Sequence, residues 1–340
     1  MSPPVADYLL FLAQTVTLAL AAIGTVAGTM AAVTAVRHRT RRRPRVEVTD
    51  LGLRYDQLRL TMQEAVLPRR AMRRELKAHQ HRVRALDKAK ADAVTRNPER
   101  RRPRVFVLDF KGDTQASAVT ALREEITAVL SVAGTDDEVV VRLENPGGIV
   151  HDQGLAASQL QRLRQRGIRL TVAVDKVAAS GGYLMACVAD RIIAAPFALI
   201  GSIGVIAVIP NVHQLLNRHG VAVEQFTGGE FKRTVTPYGE PTEAARAKLT
   251  EEIQDVHALF KEFVATHRPG IDLDRVTTGE AWHGSRALEL ALVDEISTSD
   301  DYLLTARDRA DLYLVGCREE RSMQRQLIPR LVEALSGLLR

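Results

Sequence analysis

The chain has 340 residues, enough for one large domain or two ordinary ones, and its 46% hydrophobic and 26% charged residues strike a globular rather than a disordered balance. Aromatics at 4% argue against a surface built to stack on nucleic-acid bases. Two cysteines, Cys187 and Cys317, exclude a disulfide framework or a cysteine metal cluster. The net charge of +6 is uneven: residues 37–104 hold 22 Lys/Arg against 8 Asp/Glu, whereas residues 105–340 hold 25 against 32.

Tyr8 to Val36 is a run of 29 residues without a formal charge. It exceeds the roughly 20 residues that a bilayer span needs. A cleaved signal peptide needs a basic start and a shorter apolar core, and Met1 to Asp7 contains no Lys or Arg. Residues 1–36 therefore read as a retained transmembrane anchor. The cluster Arg37-His38-Arg39-Thr40-Arg41-Arg42-Arg43 follows at once, where it suits anionic headgroups better than nucleic acid. The positive-inside rule puts it on the cytoplasmic side.

Residues 37–104 read as a basic stalk. Met72, Leu76, His79, Val83 and Leu86 fall on one helix face and Arg and Lys dominate the others, so the helix either lies on a surface or self-associates, or is a solvated linker. Asn97-Pro98 and Pro103 end it. The texture changes at Val105. Strands are predicted at 105–110, 139–143, 170–174 and 191–194, with two more candidates at 203–209 and 223–227. Helices are predicted at 118–132, 155–166 and 242–268, and another opens near Ser180. This alternation predicts a mostly parallel sheet covered on both faces. Residues 301–340 read as a helical tail, with an amphipathic stretch at 327–339.

In such a sheet, ligands collect at the carboxyl ends of the strands. Two glycine turns fall there, Pro146-Gly147-Gly148 and Ser180-Gly181-Gly182. Glycines let backbone N–H groups approach a substrate, and acyl transfer needs two such donors. From the residues alone, Ser180 is either a nucleophile or an ordinary helix cap. The Pro146-Gly147-Gly148 turn is either an oxyanion donor, a plain turn, or a pyrophosphate or coenzyme A cradle. No histidine completes a triad; His151 comes nearest. A lysine serves as base when burial disfavours its charge. Lys232, after Gly228-Gly229, is either that base or a surface lysine beside Glu230.

Several motifs in order carry a resemblance: Arg-Leu-Glu-Asn-Pro-Gly-Gly at 142–148, Asp-Lys-Val-Ala-Ala-Ser-Gly-Gly-Tyr at 175–183, Gly-Ser-Ile-Gly-Val at 201–205, Phe-Lys-Arg-Thr at 231–234, and Ser285-Arg286-Ala287-Leu288 through Val293-Asp294-Glu295. Residues 105–300 resemble the signal peptide peptidase A family of Ser/Lys peptidases. The anchor, the basic stalk and Leu155 to Leu163 match its SohB-type inner-membrane branch. The resemblance implies a ClpP/crotonase-like fold with Ser180 as nucleophile and Lys232 as base. It further implies Gly148 and Gly181 N–H groups as the oxyanion hole, and Ser202 orienting the lysine. No cofactor or metal is implied. The implied partners are a peptide substrate, the lipid bilayer and further copies of the chain sharing the dyad, in a bacterial inner membrane. Relatives are often read with this domain outside the cytoplasm, against the positive-inside argument. One departure is Asn145, where the family has Ser. The competing readings are a crotonase-like acyl-coenzyme A enzyme and a non-catalytic membrane scaffold.

Overall fold

The computed structural model describes residues 45–95 and 102–318. In chain order these form β1 (Arg45–Asp50), α1 (Leu51–Val66), α2 (Arg69–Thr95), β2 (Arg104–Lys111), α3 (Val119–Leu130), β3 (Glu138–Glu144), α4 (Val150–Gln165), β4 (Arg169–Val174), β5 (Val177–Ala179), α5 (Gly181–Ala186), β6 (Arg191–Ala194) and β7 (Leu199–Gly201). There follow α6 (His213–Arg218), α7 (Glu243–His267), α8 (Leu273–Val276), β8 (Ala281–His283), α9 (Gly284–Glu289), β9 (Glu295–Ile296), α10 (Ser299–Arg309) and β10 (Asp311–Arg318). Residues 46–318 make one compact unit. The expected anchor at 8–36 and the amphipathic stretch at 327–339 lie outside the described residues. Among those described, no helix is long and apolar enough to cross a membrane.

Successive side chains of a strand point to opposite faces, and here both faces are apolar. Phe106, Leu108, Val139, Val141, Leu170 and Val172 enter a larger core with α3, α4 and α5. Val105, Val107, Val140, Ala173 and Ile193 enter a smaller one with Leu51 of α1 and Leu303 and Ala306 of α10. This is why the strands read as continuous apolar runs. The main sheet has the order β1-β10-β2-β3-β4-β6-β9, and its pairs from β10 to β9 are all parallel. A second sheet, β5-β7-β8, has one parallel and one antiparallel pair.

Three expectations change. The strands expected at 203–209 and 223–227 do not form. Those runs have no neighbouring strand, and Ile206, Val208 and Phe226 are 87%, 83% and 89% exposed. An apolar run without a ladder partner does not hold extended structure. A helical tail is expected from 301, but among the described residues of that stretch only α10 is helical and β10 then enters the main sheet beside β2. The stalk also holds β1 and α1, which the helical pattern at 72–86 does not reveal.

The Val293-Asp294-Glu295 motif has a structural use. Arg268, at the end of α7, donates to Asp294 from both terminal nitrogens at 2.9 and 2.7 Å, and the Ile192 N–H adds a third bond at 2.7 Å. Burial works to raise the Asp294 pKa, but these bonds outweigh it and hold the carboxyl below its ordinary value. A depressed acid contributes stability above its unfolded pKa and loses it as pH falls through the folded one. Asp294→Asn is expected to cost about 1–3 kcal/mol in urea unfolding at pH 7. The cost should shrink below about pH 4, and an equal cost at both pH values would contradict the clasp.

Candidate active site

The two glycine turns meet beyond the carboxyl end of β3. Asn145 donates its N–H to the Val177 carbonyl at 2.8 Å, and its own carbonyl accepts the Ala179 N–H at 3.0 Å. This bridge seats Pro146-Gly147-Gly148 against Ala179-Ser180-Gly181. Gly147 has φ +91°; a Cβ there would lie 2.8 Å from both the Ala179 carbonyl oxygen and Ser180 Cβ, and 2.9 Å from the Gly181 nitrogen. Only glycine fits.

Ser180 has φ +52° and ψ −120° at the mouth of α5. For a residue with a Cβ this conformation costs on the order of 1–3 kcal/mol, and such strain clusters at functional sites. Its N–H donates to the Gly201 carbonyl at 2.8 Å, which pins the turn to β7. The residue occupies the helix-cap position, yet its side chain makes no capping hydrogen bond. The ordinary-cap alternative therefore fails. The residue is half-buried, and the Gly148 and Gly181 N–H groups have no acceptor among the described residues. A hydroxyl flanked by two uncommitted backbone donors has the layout that acyl transfer requires.

Ser202 also has a positive φ, +50°. Its N–H donates to the Glu280 carbonyl at 2.6 Å and its hydroxyl to the Gly279 carbonyl at 3.3 Å. It sits one residue beyond the carbonyl that holds Ser180. Lys232 is elsewhere. It is exposed in a turn closed by its own N–H on the Gly229 carbonyl at 3.2 Å, and its amine touches neither Ser180 nor Ser202 among the described residues. Nor does it pair with Glu230. Within one chain, then, Ser180, Gly148, Gly181 and Ser202 converge and Lys232 does not. His151 is exposed and only 3.7 Å from its neighbour Asp152, so it joins nothing. Cys187 is fully buried and burial pushes its thiol pKa up, as suits a small core residue.

Sequence reasoning missed the group that holds the turns. Asn145 and Gln153 are both fully buried. Asn145 Oδ1 accepts the Gly147 N–H at 2.9 Å, and its Nδ2 donates to Gln153 Oε1 at 2.8 Å. Gln153 Nε2 donates onward to the Asp113 carbonyl at 3.1 Å, and its stem packs against the Cα of Gly181. The readable signal was Gln153 itself, which shares the buried face of α4 with Ala156, Ala157, Leu160 and Leu163. Asn145, the departure from the family pattern, spends its side chain inside the fold. Asn145→Ala leaves the Gly147 N–H and Gln153 Oε1 without these buried partners, an expected loss of about 1–3 kcal/mol. Unchanged unfolding midpoints in urea would show that the network does not hold the turns.

Comparison with known proteins adds the family. Residues 4–160 match the model of the peptidase family S49 N-terminal region, and residues 162–313 match that of peptidase family S49. A probable protease SohB of Haemophilus influenzae is 60% identical over 219 residues, 64% of this chain and 62% of that protein. The match thus spans under two thirds of that relative. A putative protease SohB of Buchnera aphidicola subsp. Baizongia pistaciae is 46% identical over 240 residues, 71% of this chain and 69% of that protein. Among solved structures, a mutant of the 1510-N membrane-bound stomatin-specific protease in complex with a substrate peptide aligns at 15% identity and a TM-score of 0.41, covering 68% of this chain and 99% of that one.

Proposed function

The chain belongs to peptidase family S49, and on that premise we propose that it is a membrane-anchored serine endopeptidase of ClpP/crotonase-like fold with Ser180 as nucleophile. The observation that carries the reading is Ser180 itself. It is held in a strained conformation, released from helix capping, and set against a glycine turn with free N–H donors.

The base in this proposal is Lys232 of a neighbouring copy. Its exposure, and that of Phe226, Phe231 and Tyr238 around it, supports a segment that finds its packing between chains. The Lys232 amine takes the Ser180 hydroxyl proton as Oγ bonds to the substrate carbonyl carbon. The oxyanion rests on the Gly148 and Gly181 N–H groups, and Ser202 steadies the lysine. The C–N bond then breaks and the lysine returns its proton to the leaving amine. Water, deprotonated by the same lysine, frees the acyl group. Ile149, Val150 and Leu199, exposed beside the turns, suit apolar peptides. With residues 8–36 as a single span of a bacterial inner membrane, the proposed substrates are signal-peptide remnants or unfolded segments close to the bilayer.

A fluorophosphonate probe on the detergent-solubilised full chain is expected to label Ser180. Label should be lost in Ser180→Ala and fall by orders of magnitude in Lys232→Ala. An adduct on another serine, or none, would overturn the assignment. Mixing the two inactive variants tests the shared dyad. Random pairing in a head-to-tail ring restores roughly a quarter of the sites, whereas no recovery means that each chain builds its own dyad. A lysine base must be neutral to accept a proton, so kcat/KM should climb with pH to an alkaline plateau. A flat profile would exclude it.

A further inference from the structure

A second cleft opens at the opposite end of the main sheet. β3, β4 and β6 begin at Glu138, Arg169 and Arg191, which are neighbours in register: Glu138 lies beside Arg169, and Thr171 beside Arg191. A cavity of about 550 Å³ there is lined by Arg164, Arg169, Arg191, Arg309, Asp190 and Tyr302, among others. Ser180 lies beyond the carboxyl end of β4, so the cleft is removed from it by roughly the 20 Å length of a six-residue strand.

Four guanidiniums and one carboxylate line this space. Asp190 is committed: one oxygen pairs with Arg164 Nε at 2.9 Å, and the other accepts the Leu170 N–H at 2.9 Å. Arg191 pairs with Glu295, and Arg309 reaches Glu138 at 3.3 Å. Neither glutamate lines the cavity. Glu138 is 5% exposed and already accepts hydrogen bonds from Thr171 and Tyr302. The Arg191 and Arg309 guanidiniums each stand 5.7 Å from the Tyr302 ring, and Arg309 also donates to the Tyr302 hydroxyl at 3.1 Å. The Arg169 side chain is exposed and has no hydrogen bond or ion pair among the described residues. The acids that balance the other three arginines are spent within the protein, leaving an excess of oriented donors facing open space.

We propose that this cleft binds a phosphate-class oxyanion, with Arg169 as its uncommitted cation and Arg191 and Arg309 as pre-set forks. Planar guanidiniums match tetrahedral oxyanions through paired hydrogen bonds, and the polar, open lining excludes an apolar ligand. The source of the phosphate is either free in solution or a phospholipid headgroup.

The test uses the full chain in uncharged phosphatidylcholine nanodiscs, reading amide hydrogen exchange of residues 164–171 and 302–309. One arm adds inorganic phosphate at matched ionic strength; the other dopes the nanodisc with phosphatidylglycerol and adds no phosphate. Saturable protection in the first arm assigns a free phosphate, and protection only in the second assigns a headgroup. In either case Arg169→Gln should raise the midpoint about tenfold. Arg218→Gln, an exposed arginine on α6, should not move it. Protection in neither arm, or an equal effect of Arg218→Gln, overturns the site. None of these readings depends on peptidase activity.

Discussion

Two backbone hydrogen bonds through Asn145, to Val177 and from Ala179, hold one glycine turn against the other. The geometry of the candidate site follows from that contact. It brings β3 and the small sheet together although they belong to different sheets. It places the Cα of Gly147 where any side chain would strike Ser180. It also leaves Ser180 in a conformation that a serine adopts only under constraint.

The constraint is supported from beneath by a polar pair in an apolar setting. Asn145 and Gln153 are surrounded by the same core that holds Met185 and Tyr183. Leaving such groups unpaired would be expensive, and their mutual hydrogen bond, with the bonds to Gly147 and Asp113, satisfies both. Gln153 touches Gly181 and Asn145 touches Gly147. One buried pair therefore positions the two turns from which the proposed oxyanion donors come. Strands and helices of the same chain hold the turn that carries Ser180.

The segment that carries Lys232, the proposed base, is built on different principles. Residues 204–242 contain one short helix, no strand, and exposed Ile206, Val208, Phe226 and Phe231. Apolar side chains in that density are not arranged for water. The contrast between a serine fixed by its own chain and a lysine left on a surface is the physical basis for proposing that neighbouring copies complete the site.

The sequence by itself determined the four central strands, their parallel order of alternation, and the two glycine turns. Each depends on local patterning: unbroken apolar runs for strands buried on both faces, and glycines where backbone must approach backbone. The family motifs also marked Ser180, Ser202 and Lys232. Only the tertiary structure decided the rest. The apolar runs at 203–209 and 312–315 look alike in sequence; the second became β10 because β2 offered it a ladder, and the first had no partner. Asn145 stood out in the sequence only as a departure from the family's usual Ser; the tertiary structure shows its side chain buried beneath the two turns. The arginines at 164 and 169, at 191 and at 309 come from three separate stretches of the chain and carry no shared pattern. They meet because Arg169 and Arg191 open neighbouring parallel strands while Arg164 and Arg309 lie at the ends of helices that lead back to that end of the sheet, a proximity that no local period encodes.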